Sequence, residues 1–176
     1  MRITFNNVML KLYIVLFMPI SIPIILIIKL VEKKILIRFS EIQADRIGHL
    51  AGHMELKFLE SKEFDFDGVQ TLDIYYLVSR ISNKTLFKLW SRKIFILNKY
   101  IAYPIAYMCF KILDDKHKII PICGDRDILN LLDKHPISLG FSDKELNYGE
   151  LCLKDFKVPC DSKIICLNIR DDAYYG

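Results

Sequence analysis

The chain has 176 residues, and its 25 Lys and Arg against 21 Asp and Glu leave a formal charge of only +4, spread along the sequence with no dense basic stripe. That pattern argues against nucleic acid as a partner. Five cysteines, an odd number with no CxxC pair, argue against a disulfide framework or a structural zinc site and fit a reducing compartment. A hydrophobic fraction of 52% and a mean hydropathy of +0.24 fit one ordinary domain with some apolar surface that meets lipid.

The first element is LYIVLFMPISIPIILII, Leu12 to Ile28, which carries no charge. As a helix it measures about 25 Å, near the lower limit for crossing a bilayer core of about 30 Å. Pro19 and Pro23 each remove a backbone donor and favour a kink. The expected forms are a kinked crossing helix or a re-entrant hairpin, with a buried core helix as the plain alternative. No small-x-small cleavage site follows, and the next residues are basic: Lys29, Lys33, Lys34 and Arg38. The positive-inside rule then puts the body of the chain in the cytoplasm.

ILIRF, Ile35 to Phe39, reads as a strand, and SEIQADRIG as a polar loop. HLAGHMELKFLE, His49 to Glu60, has Leu50, Met54 and Phe58 at helical spacing. A second unit follows, with strand Leu72–Val78, turn SRISN and helix KTLFKLWSRK. YIAYPIAYMCFKIL, Tyr100 to Leu113, is an apolar helix that either belongs to the core or lies against the membrane next to the anchor, core being the preferred reading. The third unit is strand KIIPIC, Lys118 to Cys123, then helix RDILNLLDK. Alternating strands and helices predict a parallel sheet with helices on its faces, with ligands at the carboxyl ends of the strands. The loop Arg46 to Gly48 falls there. Ser142 and Glu145 form a capping box that starts a helix running to about Phe156. KIICLNIRD, Lys163 to Asp171, reads as a strand that should lead into a further element.

The segment RIGHLAGH, Arg46 to His53, invites a metal reading because His49 and His53 are four apart. Leu50 stands where the HExxH pattern needs Glu, and no third ligand is apparent. A substrate loop is the better reading. Gly48 would allow close backbone approach, Arg46 would add charge, and His49 would act as a general base or bind phosphate. His53, one turn on, is expected to be structural. FDFDG, Phe64 to Gly68, lacks the other ligands of a calcium loop and reads as a turn.

Three pieces in order, RIGHL, SDKELNYGELCLKDFKVP and ICLNIRDDAYY, resemble a family of poorly characterised bacterial glycosyltransferases associated with surface-polysaccharide biosynthesis. The resemblance implies a GT-B-like enzyme needing no metal or other cofactor. Its partners would be a nucleotide-sugar donor and a glycan or lipid-linked acceptor, met at the cytoplasmic face of the bacterial inner membrane. It also implies a division of the chain. Residues 1–34 would be the membrane anchor, 35–160 a Rossmann-like acceptor-side domain, and 161–176 the first strand of a truncated donor domain. Arg46, Gly48 and His49 would face the cleft, with His49 catalytic. Arg170 and Asn168 would meet the donor phosphate and Asp171 the substrate. Asn168 stands where the family pattern has His, and it cannot exchange a proton near neutral pH. The alternative from another class is a membrane-anchored α/β binding or scaffold protein without catalysis.

Overall fold

The computed structural model describes residues 7–63, 68–119, 126–159 and 162–163, at 7–12 and 14 by their backbone alone. It divides into two compact units, residues 1–140 and 141–176.

The first unit is mixed α/β. Its strands are β1 (Ile35–Ile42), β2 (Gln70–Leu77) and β3 (Phe95–Leu97), which lie side by side in that order with every pair parallel. On the other side of β1, Lys118 forms a parallel bridge to Phe39, and the Ile119 N–H donates to the Phe39 carbonyl at 3.0 Å. The expected strand Lys118–Cys123 therefore begins beside β1, and its remainder lies outside the described residues. The chain runs β1, β2, β3 in one direction, then returns to the opposite edge of β1.

Both faces of the sheet are covered, which is why β1 is buried almost without alternation. Neighbouring side chains go to opposite layers: Tyr75 joins one cluster and Tyr76 the other. On the Tyr75 side lie α2 (Met54–Glu63) and α3 (Lys84–Trp90), whose Met54, Phe58 and Trp90 pack with Ile42, Leu50 and Ile94. Asn83 caps α3 by accepting from the Leu86 N–H at 2.9 Å. On the Tyr76 side lie α1 (Asn7–Val31) and α4 (Lys99–Ile112), where Ile25, Ile28, Ile105, Ala106 and Cys109 meet Phe39. The Asn98 side chain caps α4. Cys109 is a buried apolar filler, and burial pushes its thiol up to about 11.

Helix α1 is continuous through Pro19 and Pro23, so the hairpin form is not seen. It runs alongside α4 in the same direction. At one end the Tyr13 hydroxyl donates to the Tyr100 carbonyl. At the other, Glu32 meets Lys29 at 2.8 Å, Lys116, and the fully buried His117 at 3.5 Å. Lys116 and Lys29 hold the Glu32 carboxyl well below its usual range, at about 2, despite some burial. Among the residues whose side chains are described, no helix is long and apolar enough to cross a membrane. The outward side of α1 is nevertheless apolar: Val15, Leu16, Ile20, Leu26 (65% exposed), Ile27 and Leu30 (83% exposed).

Three expectations change in detail. Strand β3 was not anticipated, because three residues between a helix end and the next helix cap carry too little pattern. The helix expected over Arg126–Lys134 is only the single turn α5 (Leu131–Lys134). Asn130 is left-handed there (φ 53°), and the Asp127 carboxylate accepts from the Leu131 and Leu132 N–H groups at 2.7 and 2.8 Å, so the turn starts late. The amphipathic stretch from His49 opens as a π turn, His49–His53, before α2 begins.

The second unit contains α6 (Asp143–Asp155), entered through the expected capping box. The Glu145 carboxylate accepts from the Ser142 N–H at 3.0 Å and from its hydroxyl at 2.9 Å. The expected strand at Lys163–Asp171, and with it Asn168, Arg170 and Asp171, lies outside the described residues apart from Lys163.

Candidate functional site

In parallel α/β sheets ligands collect at the carboxyl ends of the strands, at the point where strand order reverses. Here that point lies between the end of β1 and the segment at Lys118. A pocket of about 270 Å³ opens there. Its polar lining comes from β1 (Ser40, Glu41), the loop after it (Gln43), the π turn (His49, His53), α2 (Lys57) and the returning segment (Lys118), with Tyr76 and Phe110 as aromatic walls.

The π turn shapes one wall. The Met54 N–H reaches back to the His49 carbonyl, one residue further than in an α-helix. Such bulges recur at functional sites. The turn is braced from behind: the buried Trp90 Nε1–H donates to the Leu50 carbonyl at 2.7 Å. His49 and His53 stand edge to face with ring centres 5.8 Å apart. The His49 Nδ1 is buried without a hydrogen-bond partner, with the Asp45 carboxylate at 3.8 Å.

Lys57 forms the floor. It is only 8% exposed, and its Nζ donates to the Glu41 carbonyl at 2.9 Å. Burial pushes its ammonium down from the usual lysine range, while Glu41 and Glu60 pull the other way. The Tyr76 hydroxyl donates to Glu41 Oε1 at 3.2 Å, and burial raises the Tyr76 pKa. Ser40 is 4% exposed, and among the described residues its Oγ has no hydrogen-bond partner. A buried hydroxyl left in that state costs about 1–3 kcal/mol, and a bound polar group would remove the cost.

Of the residues singled out in RIGHLAGH, His49 lines the pocket. Arg46 and Gly48 are exposed and are not among its lining residues. Gly48 has ordinary right-handed backbone (φ −62°, ψ −40°), and a Cβ there would meet nothing within 4 Å, so nothing local demands glycine. His53, expected to be structural, lines the pocket beside His49. Glu55 is turned away, its Oε1 accepting from the Ser138 N–H at 2.7 Å. Among the described residues, no group of three or more His, Cys, Asp or Glu is arranged to hold a metal. Sequence reasoning missed Ser40, Glu41, Lys57, Tyr76 and Lys118. One signal was available: His49, His53 and Lys57 recur every four residues, which continues the histidine face by another turn.

Comparison with known proteins finds no matching family model, no matching curated protein and no matching solved structure.

Proposed function

We propose that this chain is the acceptor-side part of a membrane-associated glycosyltransferase that moves a sugar from a nucleotide donor to a lipid-linked or polysaccharide acceptor. The observation that carries the reading is the pocket at the strand-order reversal, with His49 in its wall. An imidazole there suits a general base for an acceptor hydroxyl. The reading takes the sheet as Rossmann-like and of GT-B type, and assigns donor phosphate to Arg170 and Asn168 and substrate to Asp171 through the RIGHL and IRDDAYY resemblance. Arg46 and Gly48 then belong to the rim that meets the donor-side domain.

Membrane association rests on the outward face of α1. The helix lies along α4, with Ile25 and Ile28 buried inward and Leu16, Leu26 and Leu30 turned out. That geometry suits a helix lying in one leaflet of the cytoplasmic face, parallel to the surface, rather than one crossing the bilayer. Lys33 and Lys34, exposed at its end, complement anionic headgroups. Leu26→Asp with Leu30→Asp should abolish sedimentation with anionic vesicles and leave the melting temperature unchanged. Retained sedimentation would remove the in-plane reading.

The test of transfer uses the product of the complete reading frame in native membranes, offered a panel of labelled nucleotide sugars. His49→Ala should lower transfer about 100-fold or more without changing membrane content of the protein. Transfer equal to wild type would end the assignment of His49. No transfer from any donor by wild type would favour the binding-protein alternative.

A further inference from the structure

The pocket has a composition that the transfer reaction alone does not require. Among the described residues, Lys118 and Lys57 bring two ammonium groups, and His49 and His53 two imidazoles, against one lining carboxylate, Glu41. Glu41 is itself engaged by the Tyr76 hydroxyl. The free capacity is therefore mainly donor capacity: the Lys118 ammonium stands exposed over the Phe110 ring, and Ser40 Oγ is buried with no partner. A volume of about 270 Å³ falls just under the range of about 300–1,000 Å³ typical of sites for drug-sized molecules. It suits a group the size of one monosaccharide and is small for a whole nucleotide sugar.

We propose that this pocket binds a phosphate monoester on a monosaccharide-sized or smaller group, with Lys118, His49 and His53 around the phosphate and Ser40 Oγ donating from the strand. Ammonium and imidazolium donors make short, charge-assisted bonds to phosphate oxygens. Lys57, hydrogen-bonded to the Glu41 carbonyl, supplies fixed positive charge from below. The inference rests on the same pocket as the transfer reading and names what the acceptor side would hold: a phosphorylated group, either soluble or on a lipid.

The experiment is calorimetric titration of the purified chain with glucose 1-phosphate, inorganic phosphate and glucose. A second arm measures binding to phosphatidylcholine vesicles with and without phosphatidic acid. The phosphate compounds should bind and glucose should not. Lys118→Ala should weaken the phosphate compounds about tenfold or more. Ser40→Ala should weaken them too, while leaving thermal stability equal or higher, because no protein partner loses a bond. A serine with a purely structural role would show the opposite pattern. A Lys118-dependent preference for phosphatidic acid identifies a lipid source, and its absence with soluble binding identifies a free one. Equal affinity for glucose and its phosphate, or affinity untouched by Lys118→Ala, overturns the proposal. Sugar transfer without phosphate binding would sink this inference alone. Phosphate binding without transfer would sink the transferase reading alone.

Discussion

The two ends of the sheet handle buried charge in opposite ways. At the amino end, Arg38 on β1 is 3% exposed, and its register partner on β2 is Asp73. The guanidinium donates to both carboxylate oxygens, at 2.6 and 2.8 Å, and to the Ser61 carbonyl at 3.0 Å. Both charges are matched within the protein. At the carboxyl end, Lys57 is buried against a carbonyl rather than a carboxylate, Ser40 Oγ has no partner, and Lys118 faces the opening. The same fold thus carries one ionic group complete in itself and one set of polar groups that faces an opening. The second set is the one proposed above to meet a ligand.

The sharpest way to break this comparison is at the amino end. Asp73→Ala leaves Arg38 buried without its carboxylate and should cost about 3 kcal/mol in urea unfolding, with ligand affinity unchanged once folded. A loss below about 0.5 kcal/mol would mean that the Arg38 pair is not a structural anchor. Next comes Trp90→Phe, which removes the donor to the Leu50 carbonyl behind the π turn. It should cost about 1–2 kcal/mol and, unlike Asp73→Ala, weaken phosphate binding. Unchanged binding would show that the turn needs no brace.

Lys57→Met tests the carboxyl end. The folded-state pKa of Lys57 lies below its unfolded value, so between the two the unfolded chain holds more protons. The cost of burying the charge is fully present below the folded pKa and disappears as pH rises toward 10.5. Wild type should therefore gain stability relative to Lys57→Met over that window, and at neutral pH the two should agree within about 1 kcal/mol. A flat difference across the window would show that Lys57 titrates as if exposed. The smallest effect is expected from Tyr76→Phe, about 0.5–1 kcal/mol in unfolding, since Glu41 keeps access to solvent. A much larger cost would place Glu41 and Tyr76 with the structural charges rather than the ligand set.

The parallel sheet was legible because strand-like and helix-like runs alternate from Ile35 onward, and the observed β1 and β2 fall on the expected segments with slightly different ends. His49 was legible because it follows the first strand. Lys118 and Tyr76 were not, since they reach the pocket from other strands through pairing that local pattern does not encode. Lys57 was hidden for another reason: a lysine in an amphipathic helix reads as solvent-facing, yet the whole of Met54–Ser61 is buried here. Gly48 does not take the positive φ that glycine permits, so its backbone angles neither support nor oppose its expected place beside a substrate. The paired charges of Arg38 and Asp73 were within reach, as opposite residues on adjacent strands, once a register was known.

The π turn at His49–His53 holds one more residue per turn than the helix it opens. It takes up that extra residue locally, as a widened turn between β1 and α2. Removing a single residue, such as Gly52, would let the segment close as an ordinary α-helix, with the residues on either side of it still in phase. Met54, Lys57 and Phe58 would keep their places, and only the local splay that sets His49 and His53 edge to face would go. One deletion would thus ask whether the pocket wall depends on the bulge itself, without touching a side chain that packs the core.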